Sequence, residues 1–271
     1  MFYLVSTPIG NLQDITFRAI EVLKEADIVF CEDTRHSLKL LNHYGIKKQL
    51  ESFHQFSKED KLRKIEKLLN EGKNVCYISD AGTPAISDPG YEIIKYLSEK
   101  NIPFDVIPGA TALIPALLLS SFPPDRFFFG GFLGKKESEI ENQLKRFADY
   151  DCTLIFYQSP LRIARTLKVA REVYQNRQVA IVKELTKIHQ KVLKGSIDTV
   201  VKEIKESEKG EFVIVFSPPE KKKKQSEIPE GVKNEYAMLL KEKIEPKKAI
   251  KFLSKKYSIP SKKLYSELSE G

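Results

Sequence analysis

The chain has 271 residues, a formal net charge of +8, 41% apolar and 30% charged residues, and a mean hydropathy of −0.33. That composition excludes a fully disordered or collagen-like chain, and the length suits two compact domains with an appendage better than a single core. Three cysteines, Cys31, Cys76 and Cys152, lie far apart with no C-x-x-C pair, so a reducing cytoplasm is expected rather than a disulfide framework or a zinc knuckle.

The amino terminus, MFYLVSTPIG, has no basic stretch before its apolar residues, so no secretory signal is expected. Residues 2–6 predict a strand. Asp14 is expected to cap a helix whose apolar face is Ile15, Ala19, Ile20, Leu23 and Ala26. Residues 28–31 predict a second strand and 37–44 a helix closed by Gly45; Ser57 and Asp60 signal a further helix that ends at Gly72. A strand at 75–79, a helix at 91–100 and a strand at 104–107 continue the alternation, which argues for a parallel, doubly wound sheet. Between Asp105 and Asp125 no charge occurs for 19 residues, enough to test for a membrane span. Pro108, Gly109, Pro115, Pro123 and Pro124 interrupt that run, so a buried helix at 111–119 is expected, in a soluble protein with no membrane partner.

Pro123-Pro124 marks a boundary. Beyond it, residues 127–130, 153–157, 179–182, 191–193 and 212–216 predict strands, with helices from Ser159-Pro160 to about Tyr174 and at 197–206. The short interval between the third and fourth of these strands predicts an antiparallel pair, and hence a mixed sheet. Residues 220–271 hold 14 lysines and 8 glutamates, so six of the eight net charges lie there. EKKKKQSE opens that segment as a charged linker. Three amphipathic stretches follow, on Tyr236, Leu239 and Leu240, on Ala249, Phe252 and Leu253, and on Leu264, Tyr265 and Leu268, parted by turns at Pro246 and Pro260. The fold class expected is therefore α/β: a parallel doubly wound domain at 1–122, a mixed-sheet domain at 123–219, a linker at 220–229 and a small basic helical unit at 230–271. That unit either grips a polyanion, nucleic acid above all, or serves as a solvated appendage.

No G-x-G-x-x-G or G-x-S-x-G occurs, GGFLGKK is one residue short of a phosphate loop, and His36, His43, His54 and His189 make no metal pattern. What stands out is a set of turns built from Gly, Pro and small polar residues: Thr7-Pro8-Ile9-Gly10-Asn11, Asp80-Ala81-Gly82-Thr83-Pro84, Ser87-Asp88-Pro89-Gly90 and Pro108-Gly109-Ala110-Thr111-Ala112. Three of them follow predicted strands directly. The carboxyl ends of parallel strands form the ligand crevice of such a sheet, and small side chains let backbone groups approach a ligand. Cys31-Glu32-Asp33-Thr34-Arg35 puts carboxylates and a guanidinium at another strand end, where Asp33 or Thr34 also suits a helix cap. Lys183 and Glu184 end a strand in the second block, where an ordinary surface ion pair is the plainer account.

Six segments in order, STPIGNLQDITFRAIEVLKEADIVFCEDTRH, YISDAGTPAISDPGYE, VIPGATALIPALLLSSFPPDRFFFGGFLGKK, TLIFYQSPLRI, KELTKIHQKVLKGSI and GEFVIVF, together resemble the ribosomal RNA small subunit methyltransferase I family, within the tetrapyrrole methylases. The resemblance covers roughly residues 1–217, and the terminal helical unit looks like that family's small last domain. It implies a homodimer that uses S-adenosylmethionine to methylate a cytidine ribose 2′-hydroxyl in the decoding region of small-subunit ribosomal RNA, with the assembled 30S subunit as the expected partner. No metal is expected, because the sulfonium is already a good leaving group. It also implies a cofactor cleft between two α/β domains, with Pro8, Asp80, Gly82, Thr83, Ser87, Pro108, Thr111, Ala112 and Tyr157 as its binding residues. The first turn, Thr7-Pro8-Ile9-Gly10, lacks the glycine-rich form usual in the wider group. A tetrapyrrole (precorrin-type) methylase and a non-catalytic RNA-binding assembly factor are the competing readings. A ribose hydroxyl must lose a proton to attack the methyl group, and Asp33 and Glu184 are the candidates for that base. Lys183 and Arg35 are candidates for holding the adjacent phosphate or lowering the hydroxyl pKa. Tyr157 is placed against the adenine, the target base or the core.

Overall fold

The computed structural model describes residues 1–53, 58–175, 177–204, 210–220 and 228–268, in two compact units, Met1–Pro219 and Glu220–Gly271. His54, the Ser57 cap, the end of the helix expected at 197–206 and most of the expected linker at 220–229 lie outside the described residues.

In the first unit, strands β1 (Phe2–Val5), β2 (Ile28–Cys31), β3 (Gln49–Ser52), β4 (Val75–Ile78) and β5 (Phe104–Ile107) form an all-parallel sheet in the order β3-β2-β4-β1-β5. β2 and β4 read IVFC and VCYI and are buried at every residue, as central parallel strands covered on both faces must be. Helices α1 (Phe17–Glu25) and α2 (Thr34–His43) join a core with Val5, Val29 and Ile78 on one face. Helices α3 (Lys58–Asn70) and α4 (Gly90–Glu99) join Phe2, Phe30 and Tyr77 on the other. β3 escapes the sequence reading because QLES is a polar edge strand only half-buried in the sheet. Two helix starts differ from expectation. Thr16, not Asp14, caps α1 by accepting from the Ala19 N–H, while Asp14 ends a short 3-10 turn. α2 begins at Thr34, three residues early, with Asp33 as its cap.

The second sheet holds β6 (Phe127–Phe132), β7 (Thr153–Gln158), β8 (Gln178–Lys183), β9 (Lys191–Ser196) and β10 (Phe212–Phe216) in the order β6-β7-β10-β8-β9. Only β6 and β7 run parallel; the other pairs are antiparallel, including the expected β8–β9 hairpin. Helix α5 (Leu113–Ser120) covers one face of this sheet, with Ala116 and Leu117 against Ile155, Val182 and Val213. The other face carries α6 (Glu137–Arg146), α7 (Ile163–Tyr174) and α8 (Ile197–Glu203). α6 has just two apolar residues, Ile140 and Leu144, both buried one turn apart, too thin a stripe to read from sequence. α5 is not the buried helix expected. Its side chains are apolar all round, so one face fills the core while Ile114, Leu118 (62% exposed) and Leu119 stand open. No helix among the described residues is long and apolar enough to cross a membrane.

The second unit is a bundle of α9 (Glu230–Lys241), α10 (Pro246–Tyr257) and α11 (Ser261–Leu268) around Ile228, Val232, Tyr236, Ala249, Ile250, Leu253 and Leu264. Pro246 opens α10 at its first turn, where its missing N–H costs no hydrogen bond. Leu240, Phe252 and Tyr265, expected on the apolar faces, are exposed, because Val232, Ile250 and their helical neighbours already fill so small a core.

Candidate active site

A cavity of about 350 Å³ opens at the carboxyl ends of the parallel strands, closed on its far side by the ends of β7, β8 and the start of β10. The strand ends beneath it are tied together. Thr7, after β1, and Gly82, after β4, exchange both backbone hydrogen bonds, at 2.9 and 3.0 Å. The Ser6 hydroxyl donates to Thr83 Oγ1 at 3.1 Å, and the Thr83 hydroxyl donates on to the Ala110 carbonyl at 3.1 Å. The ends of β1, β4 and β5 are thereby tied to one another. Gly82 sits at φ +83°, and a Cβ there would lie 3.3 Å from Ile9 Cγ2, so a branched residue at 82 meets both backbone strain and a crowded neighbour.

The loops around the cavity hold further strain. Ala85 and Ser87 have φ of +70° and +74°, and Glu184 and Thr186, flanking the wall residue Leu185, have +52° and +64°. The other five non-glycine residues of positive φ among the described residues, such as Ser121 and Ser258, lie at the ends of helices. Asp88 holds the first strained loop by accepting from the Ala85 and Gly90 N–H groups, both at 2.8 Å. On the second, the Thr186 hydroxyl accepts from the Asn11 N–H at 3.0 Å, and Gly10 lies so close that a Cβ would fall 2.6 Å from Lys187 Cγ. Non-glycine residues in left-handed backbone cost about 1–3 kcal/mol each and persist where the surroundings dictate them.

Two walls differ in chemistry. One is aromatic: Tyr157 meets Phe129 and Phe132 edge-on, with centroids 4.8 and 5.3 Å away, and burial raises its hydroxyl pKa against hydrogen bonding to Thr111 and Leu113. The other is acidic: Glu32, Asp80 and Asp88 all face the cavity. Asp80 accepts from the Asp33 N–H at 3.2 Å. Glu32 has no hydrogen-bond or ion-pair partner among the described residues, and burial, then Asp88 and Asp80, push its carboxyl up to about 7. Burial also raises Asp88. The fully buried Tyr77 hydroxyl, whose charged neighbours include these carboxylates, has no hydrogen-bond partner among the described residues.

Of the residues singled out from sequence, Asp80, Gly82, Thr83, Ser87, Thr111, Ala112 and Tyr157 line the cavity together. Pro8 and Pro108 do not: Pro8 is buried beside the lining residue Ile9, and Pro108 is exposed at the end of β5. Nor do Asp33, Arg35, Lys183 and Glu184. Asp33 accepts from the Arg35 N–H at 2.8 Å as the cap of α2 and is gripped by the Arg35 guanidinium at 3.0 Å, which holds its carboxyl down at about 2. Glu184 accepts from the Glu211 N–H at 2.8 Å and pairs with Lys187 at 3.2 Å; burial raises it, but these partners outweigh burial and keep it below the usual range. Lys183 lies over the Phe212 ring, 5.7 Å from its centroid. Glu32 is the residue the sequence reading passed over. Adjacent side chains at a strand end point to opposite sides, so Glu32 turns into the cavity while its neighbour Asp33 caps a helix.

The sequence profile of the tetrapyrrole (corrin/porphyrin) methylases matches residues 1–201. Proteins named ribosomal RNA small subunit methyltransferase I are similar at high coverage. The one from Mesomycoplasma conjunctivae is 45% identical over 81% of this chain and 92% of its own. The one from Synechocystis is 37% identical over 98% of this chain and 96% of its own. Among solved structures, diphthine synthase superposes with a TM-score of 0.63 at 14% identity, over 80% of this chain and 89% of its own. Uroporphyrin-III-C-methyltransferase from Thermus thermophilus gives 0.56 at 20%, over 80% and 93%; both show the fold. The cavity suits the methyl donor of this family. Its volume falls within the usual range for small-molecule sites, an aromatic wall offers a face to a purine, and an acidic wall complements a sulfonium cation. The chain belongs to the ribosomal RNA small subunit methyltransferase I family of the tetrapyrrole methylases and takes its methyl group from S-adenosylmethionine.

Proposed function

We propose that this protein methylates the 2′-hydroxyl of a cytidine ribose in the decoding region of small-subunit ribosomal RNA, acting on the assembled 30S subunit. The relatives' names support the RNA, and the resemblance in the six sequence segments supports the cytidine ribose. The observation in the molecule that carries the reading is Glu32, a carboxylate in the wall of the cofactor cavity that has no partner among the described residues and that burial pushes up to about 7. An alcohol is a poor nucleophile until its proton leaves, and a base poised near the working pH is worth roughly 10²–10⁴-fold.

The donor, held by the Asp80–Thr83, Ser87 and Thr111–Ala112 segments with Tyr157, supplies a methyl group on a good leaving group. The chain's own part is alignment and proton removal. The tied strand ends and strained loops fix the floor, and alignment of the reactants accounts for most of the acceleration. In this reading Asp33 and Glu184 hold loops in place, while Lys183 and Arg35, outside the cavity wall, are placed to meet RNA phosphate. Two lobes, residues 1–122 and 123–219, enclose the cavity, and a second copy of the chain covers the open face of α5, where Ile114, Leu118 and Leu119 face outward. The protein works in the cytoplasm, where its substrate resides.

The test is methyl transfer from labelled donor to isolated small subunits from cells lacking this protein. Label should appear at one ribose and block alkaline cleavage of the adjoining phosphodiester. Label on a base rejects the 2′-hydroxyl. No label, with tight subunit binding, makes the protein an assembly factor, and label on a precorrin makes it a tetrapyrrole methylase.

A further inference from the structure

The small helical unit has a hollow of its own. Between α10 and α11 lies an open groove of about 580 Å³ whose sides carry Lys247, Lys251 and Lys262, with Ile250 at its base and Tyr265 beside it. α10 contains five lysines and no acidic residue. Lys248 and Lys256 are paired with Glu245 and Glu235, whereas Lys247, Lys251 and Lys262 have no ion-pair partner among the described residues. Tyr265 is 49% exposed although the core lies one residue away at Leu264. Unneutralised cations around an exposed aromatic face match a polyanion that also presents flat rings. In a duplex those rings are stacked on one another; in a single strand or loop they are free to stack on a side chain.

We propose that the groove between α10 and α11 is a binding site for single-stranded RNA, with Lys247, Lys251 and Lys262 neutralising phosphates and Tyr265 stacking on one base. The proposal rests on the RNA reading above and adds to it where the small unit takes hold. It also separates affinity from chemistry: the relative from Thermotoga maritima is matched over 98% of its length by 80% of this chain, so a protein of that name exists without the remaining fifth.

The experiment measures binding of the full chain to a short labelled single-stranded RNA across a salt series, beside methyl transfer to small subunits. Each single-strand phosphate contact contributes about 0.7 to the slope of log affinity against log salt. The variant K247Q/K251Q/K262Q should therefore lose about 2 from that slope. Tyr265→Ala should weaken binding roughly tenfold at every salt concentration with the slope kept. The control K233Q/K241Q/K255Q removes three lysines of the same unit that lie off the groove, and its slope should stay at the wild-type value. Equal losses in both triple variants, or a Tyr265→Ala chain that binds as wild type, would overturn the groove in favour of diffuse attraction. Absence of methyl transfer by the wild-type chain defeats the RNA-methylation reading and leaves the binding result to judge the groove separately.

Discussion

The two hollows of this molecule carry opposite charge and are made in opposite ways. The cavity of the first unit is walled by Glu32, Asp80 and Asp88 and sits on strand ends that are tied to one another through the backbone. The groove of the small unit is walled by lysine side chains on two helices. A site that must align a methyl group with an oxygen needs fixed atoms, and backbone pairs at strand ends supply them. A site that must hold a flexible polyanion needs charge on long stems, which helices display without fixing its position. The contrast teaches where to look for each activity, and it can be broken from either side.

The largest effect expected is at Glu32. Glu32→Gln should cut methyl transfer by roughly 10²–10⁴-fold while calorimetric binding of S-adenosylmethionine stays close to wild type. The wild-type rate should rise with pH through a limb near 7 that the variant lacks. A variant that keeps both the rate and the limb would mean that the acidic wall serves charge balance alone.

Next comes the small unit as a whole. Residues 1–219 should bind RNA more weakly and with a flatter salt slope than the full chain, yet gain the same thermal stabilisation from the cofactor. A shift lost on truncation would show that the two hollows are not separable. That shift is itself the third measurement. At 100 times its dissociation constant a ligand stabilises the folded state by about 2.7 kcal/mol, and Gly82→Val should abolish the gain by forcing a branched side chain onto a φ of +83° beside Ile9.

A smaller effect follows from the same glutamate. Its carboxyl sits near 7 in the folded chain against an ordinary 4.5, so between those values the folded state holds a proton that the unfolded state has released. Stability should fall as pH rises from about 4.5 to 7. Glu32→Gln removes that penalty, and should be more stable than wild type at pH 8 by on the order of 2 kcal/mol once the partial exposure of Glu32 is allowed for, with no difference near pH 4. The smallest effect is predicted at Asp33. Asparagine caps a helix as well as aspartate does, so Asp33→Asn should leave methyl transfer at the wild-type level, and a large loss would return Asp33 to the catalytic set.

Much of the cavity was legible because its chemistry is written in turns. Asp80, Gly82, Thr83, Ser87, Thr111 and Ala112 follow strands that the apolar pattern predicts, and strand ends in a parallel sheet converge. The charged candidates were not legible for a matching reason. Asp33 and Glu32 are neighbours in sequence, and only the strand's pleat decides which one faces a ligand and which one caps α2. Glu184 was a candidate base or a partner for Lys183 in sequence; its actual partners are Lys187, three residues on in the same turn, and the Glu211 N–H, which reaches it only when β8 and β10 pair. In the fold, β3 and α6 went unseen because each shows the core too few apolar residues, and α5 was taken as buried because its sequence does not say which of its apolar faces is left over.

The strained loops have one more consequence. Ala85 and Ser87 occupy backbone that glycine would adopt without cost. Glycine there would relieve the folded state of strain while widening the set of shapes the loop visits before a ligand arrives. Resistance to heat and grip on the donor would then move apart, the first improving as the second declines. The alanine and serine in these places keep the loop's repertoire narrow, so the molecule gives up some endurance for a cavity that is already in shape when its ligand comes.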